Sequence, residues 1–189
     1  ISLFAGAGGM DVGAVNAGFS VVGASELDKH ACATYRQNHP DTLLFEGDIN
    51  EQIQDVCQLK DVDLVIGGPP CQGFSVAGKM DVNDPRSQLV FSFCEVVERV
   101  NPRAFIMENV KALGALEKFK NVREEILRRM ELAGYSVSVF ILNAKEFGVP
   151  QSRERVFFIG VEKPIPPVKL SSVMKYRKTA VTLREAISH

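Results

Sequence analysis

Residues 64–75, with the sequence LVIGGPPCQGFS, constrain the fold and chemistry of this 189-residue chain more than any other segment. The run opens on apolar residues typical of a buried strand, and two glycines then allow a sharp turn. Two prolines follow and restrict φ, so Cys71 is expected on a rigid loop at the carboxyl end of a strand, where open α/β sheets bind ligands. That position suits a nucleophile, although a lone cysteine beside a tight turn is more often a small core residue.

Apolar runs alternate with amphipathic segments along the chain, which is typical of βα units around a mostly parallel sheet. The pattern predicts one α/β domain. Strands are expected at residues 1–4, 21–24, 43–45, 64–66, 104–107, 137–142 and 156–161. Helices are expected near residues 11–17, 29–38, 88–100, 122–133 and 183–187.

The composition is that of a globular protein, with 46% hydrophobic residues and no apolar stretch long enough to span a membrane. The net charge of -1 is unusual for a protein that binds nucleic acid, so basic groups would be concentrated on one face, or a basic portion lies outside this sequence. The four cysteines are scattered without metal-site spacing, which predicts no metal site and a reducing, intracellular compartment.

A glycine-rich segment, FAGAGG at residues 4–9, follows the first expected strand and opens a helix. The free N–H groups of a helix start favour an anion, but the segment alone fits any tight turn or nucleotide site. Glu26 follows after about 20 residues, the usual distance for an acid that accepts from ribose hydroxyls; a solvated carboxylate is the alternative. Asp48 would accept from an adenine amino group or cap a helix. Together the three features favour an adenosine-containing cofactor.

Six segments then carry a family resemblance, in order and at approximately the right spacing: LFAGAGG, SELD, GDI, GGPPCQGFS, ENV and QSRER. They resemble the motifs of the cytosine-C5 DNA methyltransferases, and the match extends from residue 3 to residue 161. The resemblance implies a Rossmann-like, class I S-adenosylmethionine-dependent methyltransferase fold. Such a fold has a mostly parallel seven-stranded sheet with helices on both faces.

The resemblance also implies S-adenosylmethionine as cofactor and S-adenosylhomocysteine as product. The loop from Phe4 to Gly9 would flank the methionine part, Glu26 would hold the ribose, and Asp48 with Ile49 would read the adenine edge. The full set of cofactor residues expected on this basis is Phe4, Ala5, Gly6, Gly8, Gly9, Glu26, Leu27, Asp48, Ile49, Pro70 and Leu89.

Four residues are expected to act on the target base. Cys71 would add to cytosine C6, and Glu108, at the end of the expected fifth strand, would interact with N3. Arg155 would reach the base on its O2 side, and Arg153 would support the loop. A surface position is the alternative for Glu108, and ordinary surface charge is the alternative for the two arginines.

The resulting hypothesis is a DNA (cytosine-5-)-methyltransferase that modifies a flipped cytosine in duplex DNA through a covalent Cys71–C6 adduct. One alternative is a transfer-RNA cytosine-C5 methyltransferase, although Gly73 after Pro-Pro-Cys-Gln suits the DNA enzymes. A non-catalytic subunit that keeps the fold is another, and the presence of Cys71, Glu108 and Arg155 together argues against it.

The ends of the sequence add two expectations. Ile1 lies inside the first expected strand, and VTLREAI near His189 resembles the lead into the family's target-recognition region. We therefore expect residues 1–189 to be a catalytic domain without that region and without the terminal segment that follows it, which a second chain could supply. A prokaryotic protein of this kind would act in the cytoplasm or nucleoid. Ser2 stands where many relatives have an acid, which puts one hydrogen bond of the first strand in doubt.

Overall fold

The computed structural model describes residues 1–70 and 88–188, and its strands form one seven-stranded sheet. The order across the sheet is β3-β2-β1-β4-β5-β7-β6, and β7 alone runs antiparallel to its neighbours β5 and β6. The mostly parallel sheet predicted from the sequence is therefore confirmed. The strands are β1 (Ser2–Leu3), β2 (Gly23–Glu26), β3 (Leu43–Glu46), β4 (Leu64–Gly67), β5 (Ala104–Val110), β6 (Tyr135–Asn143) and β7 (Glu154–Glu162).

Eight α-helices lie within the described residues: α1 (Gly9–Asn16), α2 (Lys29–Asn38), α3 (Ile49–Val56), α4 (Gln88–Val100), α5 (Lys111–Ala115), α6 (Lys120–Leu132), α7 (Leu170–Met174) and α8 (Leu183–Ile187). Short 3₁₀ turns occupy Glu117–Phe119 and Ala144–Phe147. The helix α3 was not predicted, and the second strand begins and ends two residues later than expected. No described helix is long and apolar enough to cross a membrane.

Helices cover both faces of the sheet, as two neighbouring residues of β1 demonstrate. Ser2 and Leu3 point to opposite faces because side chains alternate along a strand. The Ser2 hydroxyl donates to Asp11 of α1, so that helix lies on one face. Leu3 is in register with Ser25, whose hydroxyl donates to Gln52 of α3 on the other face.

The main core lies between the sheet and the layer that contains α3, α4 and α6. Phe105 of β5 is fully buried and makes edge-on ring contacts with Phe93 and Tyr135. A Cβ atom at Gly160, the β7 residue paired with Phe105, would lie 2.0 Å from that ring. The absence of a side chain at Gly160 thus makes room for the ring of Phe105 and for its contacts with α4 and β6.

A buried polar network anchors α1 and α2 beneath the glycine-rich segment. Asp11 is fully buried, and its carboxylate accepts from Ser2 Oγ at 2.9 Å and from Tyr35 Oη at 2.7 Å. Burial and the bond to Asp11 raise the pKa of Tyr35. Ser2 therefore makes a structural hydrogen bond across the turn, which answers the question that its sequence position raised.

Replacing Tyr35 with Phe should destabilise the fold, because it removes a donor from the buried Asp11 carboxylate without removing the ring. We expect a loss of roughly 1–3 kcal/mol in the free energy of unfolding, measured by urea denaturation. Tyr176→Phe is the matched control, because Tyr176 is 75% exposed and should change stability by less than about 0.5 kcal/mol. Equal effects of the two substitutions would contradict the structural role of the Asp11 network.

Candidate active site

The segment after β1 turns tightly beside the carboxyl ends of the strands. Phe4, Gly6 and Gly8 have φ values of 55°, 58° and 93°, in the left-handed region that favours glycine. A Cβ atom at Gly8 would also lie 2.3 Å from His39 Nε2, so this position has no room for a side chain. The turn places Phe4 at the carboxyl end of β1, where it lines two neighbouring cavities.

Glu26, the last residue of β2, holds this turn with its carboxylate. Oε2 accepts from the backbone N–H of Gly6 at 2.7 Å, and Oε1 accepts from Leu27 and Asp28 at 2.9 and 2.8 Å. The acid at the expected distance from the glycine-rich segment is therefore bonded to that segment, rather than simply solvated. Its carboxylate also lines the larger of the two cavities.

The larger cavity has a volume of about 670 Å³, within the range of small-molecule sites. Seven of the eleven residues predicted for the cofactor line it, and they come from five separate segments of the chain. These are Phe4, Glu26, Leu27, Asp48, Ile49, Pro70 and Leu89. Ala5, Gly6 and Gly8 lie in the adjoining turn, and Gly9 lines the second cavity. Leu27 is 66% exposed, so its apolar side chain is free to pack against a ligand.

Asp48 fulfils the second of the two roles that its sequence position allowed. It is the N-cap of α3, and its Oδ1 accepts from the Asn50 N–H at 2.9 Å. Its Oδ2 makes no hydrogen bond to any residue of 1–70 or 88–188 and can still accept from a ligand in the cavity. The cap and a ligand contact are thus compatible, because each uses a different oxygen.

The second cavity, of about 510 Å³, adjoins the first and is lined by the acid and both arginines of the predicted catalytic set. Glu108 of β5 and Arg155 of β7 form an ion pair, with 2.9 Å between Oε1 and Nε. Arg153 Nη2 lies 3.8 Å from the same oxygen. The pairing of β5 with β7 causes this proximity, because Arg155 is in register with Val110, two residues from Glu108 on the same face.

The two cavities meet at Phe4 and Gly68, which line both. A Cβ atom at Gly68 would be 3.3 Å from Glu108 Oε2, so the turn after β4 passes directly beside the acid. A ligand in the larger cavity and a ligand beside Glu108 would therefore be neighbours across Phe4 and Gly68. A third cavity of about 320 Å³ lies at the opposite, amino-terminal ends of β1, β2 and β4, near Phe19 and Val22.

Cys71, the predicted nucleophile, and Gly73 lie outside the described residues. Pro70, immediately before Cys71, lines the larger cavity. The other three cysteines are poorly suited to act as nucleophiles, because burial raises the pKa of each thiol, in the case of Cys94 to about 12. Cys32 and Cys94 are almost completely buried and belong to the core.

Several residues at the site were not predicted. Asn109 is the main one, since its buried side chain bonds to the Pro69 carbonyl. The ENV segment contained the signal, but only its acid was given a role. Four more line the second cavity from β6, β7 and the turn between them, and no motif marked them: Leu142, Ala144, Phe147 and Phe157. No group of three His, Cys, Asp or Glu side chains in 1–70 or 88–188 is placed to hold a metal ion.

Comparison with known proteins gives consistent matches. The family described as C-5 cytosine-specific DNA methylase matches residues 1–188. The Type II methyltransferase M.AquIA of Picosynechococcus is 48% identical over an alignment of 174 residues that covers 85% of this chain and 70% of that protein. M.DdeI of Desulfomicrobium norvegicum is 41% identical over 197 residues, covering 100% of this chain but 47% of its own length.

A solved structure agrees with the fold. A protein described as a DNA modification methyltransferase, encoded within an E. coli prophage, superposes with a TM-score of 0.79 at 32% identity. The match covers 98% of this chain and 53% of that one, so the chain spans about half the length of this relative and of M.DdeI. The family match extends over almost all of the 189 residues, and the chain belongs to the C-5 cytosine-specific DNA methylases.

Proposed function

We propose that this chain is the S-adenosylmethionine-binding catalytic domain of a DNA cytosine-C5 methyltransferase. The observation that carries the proposal is the meeting of two cavities at Phe4 and Gly68, one lined by Glu26 and Asp48 and the other by the Glu108–Arg155 pair. Methyl transfer needs a donor and an acceptor side by side, and this arrangement provides two adjoining sites of different chemistry.

The lining of the larger cavity suits an adenosine cofactor. Glu26 already accepts three backbone hydrogen bonds, which fix its carboxylate in place to accept ribose hydroxyls as well. Leu27 and Ile49 offer apolar surface for the adenine ring, and Asp48 Oδ2, which makes no hydrogen bond within residues 1–70 and 88–188, would accept from its amino group. When bound, S-adenosylmethionine supplies an electrophilic methyl group, and the turn at Phe4 would direct that end of the cofactor toward the second cavity.

The second cavity suits a cytosine. Glu108 would donate or share a proton with N3, which offsets the negative charge that develops on the ring when C6 is attacked, and Arg155 would hold the O2 side. The thiolate of Cys71 would form a bond to C6, which makes C5 nucleophilic enough to take the methyl group. Loss of the C5 proton and elimination of the thiolate would then release 5-methylcytosine. The base must leave the duplex to enter the cavity, at a cost of a few kcal/mol.

Glu26→Gln should weaken the binding of S-adenosylmethionine, because an amide keeps one acceptor oxygen where the carboxylate uses both. We expect the Kd measured by isothermal titration calorimetry to rise roughly 10- to 100-fold. Glu46→Gln is the matched control, since Glu46 is the register partner of Glu26 on β3 and pairs with Arg36 rather than lining the cavity. An unchanged Kd in Glu26→Gln would place the ribose elsewhere.

Cys71→Ser should abolish methyl transfer while leaving the affinity for cofactor unchanged within about twofold, because the thiol attacks the base and not the cofactor. A duplex containing 5-fluorocytosine should form a covalent adduct at Cys71, identified by peptide mass spectrometry, because fluorine cannot leave as a proton does. Cys57→Ser is the control and should retain methyl transfer and adduct formation, since Cys57 lies outside both cavities.

Assays of methyl transfer to duplex DNA and to transfer RNA, run in parallel, test the substrate. The proposal requires transfer to the duplex. Preferential transfer to transfer RNA would favour the alternative enzyme, and an adduct at Cys32, Cys57 or Cys94 would refute the assignment of the nucleophile.

The choice of target sequence is a separate part of the proposal. Because M.DdeI is about twice as long as its match to this chain, we expect base readout in the grooves to depend on residues beyond the matched region, in the same chain or a second one. Residues 1–189 alone should then bind DNA weakly, without sequence preference, and with a steep dependence on salt. Supplying such a region should confer site-specific methylation on a panel of duplexes, whereas selective methylation by residues 1–189 alone would contradict this expectation.

A further inference from the structure

Asn109 is a buried polar residue that the chemistry proposed above does not use. Its side chain is 2% exposed, and both of its polar atoms are bonded to backbone. Oδ1 accepts from the Val110 N–H at 2.8 Å, and Nδ2 donates to the Pro69 carbonyl at 3.0 Å. A reversed amide would set a donor against an N–H and an acceptor against a carbonyl, so these partners fix its orientation.

The bond to Pro69 lies two residues before Cys71 in the sequence, in a segment that has few backbone donors to fix its conformation. Gly67 and Gly68 precede it, and glycines allow many backbone conformations. Pro69 and Pro70 have no N–H group, so this stretch cannot donate backbone hydrogen bonds of its own. Its carbonyls are the groups by which neighbouring structure can hold it, and Asn109 donates to the first of them.

Asn109 also follows Glu108 directly in β5, and the two side chains point to opposite faces of the strand. Glu108 lines the second cavity, whereas Asn109 reaches the segment that leads to Cys71. The strand β5 thus contains Glu108 and also binds, through the hydrogen bond from Asn109 to Pro69, the segment that precedes Cys71 in the sequence. We propose that Asn109 is a positioning residue, which holds the Pro69 carbonyl, two residues before Cys71 in the sequence, against the strand that carries Glu108. This inference rests on the proposed function.

The test compares Asn109→Ala and Asn109→Asp with the unmodified protein. The alanine variant removes the bond to Pro69, and the aspartate variant sets an acceptor against the Pro69 carbonyl while keeping an acceptor for Val110. Each should lower kcat for methyl transfer by roughly 10- to 100-fold, the effect of displacing a reacting group by about 1 Å. The rate of adduct formation with 5-fluorocytosine DNA should fall in parallel, while KM for DNA and Kd for S-adenosylhomocysteine change by less than about threefold, because neither cavity loses a lining group.

Asn121→Asp, the same change at an exposed position of α6, is the matched control and should leave every measurement unchanged. A kcat in both variants equal to that of the unmodified protein would overturn the inference. Loss of S-adenosylhomocysteine binding together with activity would also overturn it, because Asn109 would then support the fold as a whole. If the unmodified protein itself forms no adduct and transfers no methyl group, the proposed function fails instead.

Discussion

Parallel pairing of β2, β1, β4 and β5 in matched register is the constraint on which both cavities depend. Leu3 is in register with Ser25 on one side and Gly67 on the other, and Gly67 is in register with Met107. The residue after each of these four therefore lies at the same level across the sheet. These four residues are Phe4, Glu26, Gly68 and Glu108. Every one lines a cavity, so the register converts four distant motifs into one continuous site.

Close approach of the backbones makes that register possible. A Cβ atom at Gly67 would lie 2.4 Å from the Leu3 carbonyl oxygen, so only glycine lets β4 lie this close to β1. The antiparallel insertion of β7 beside β5 then adds the positive charge that the acid needs. Glu108 and Arg155 are each about a quarter exposed or less. Solvent therefore screens their electrostatic interaction less than that of a surface ion pair. The charge and order of the second cavity thus follow from the sheet itself.

The sequence was most informative where local patterns are strong. The helices Lys29–Asn38 and Gln88–Val100 have the predicted bounds, and the parallel pairing of β1 to β5 agrees with the βα alternation. The helix α3 was missed because it is short, with only two turns to show the spacing of Ile49, Ile53 and Val56. The second strand was placed too early because Val21 and Val22 look strand-like, whereas the ladder that includes Gly23 to Glu26 depends on pairing with β3.

The site was harder to predict wherever it depends on pairing between distant segments. Glu108 and Arg155 were both chosen from motifs, but their ion pair follows from the position of β7 between β5 and β6, which no linear pattern contains. Asp48 could be predicted as a cap or as a ligand contact, and only the geometry makes the two roles compatible. Asn109 was missed because its partner is a backbone carbonyl 40 residues away.

The central claim is that donor and acceptor occupy the two cavities that meet at Phe4 and Gly68. A crystal structure with S-adenosylhomocysteine and a duplex trapped through 5-fluorocytosine tests it most directly. The account predicts ribose hydroxyls on Glu26, the cofactor sulfur facing Phe4, and the base bonded to Cys71 with N3 toward Glu108. A cofactor bound near Phe19 and Val22, at the amino-terminal ends of the strands, would contradict it. A base outside the cavity of Glu108 and Arg155 would contradict it as well.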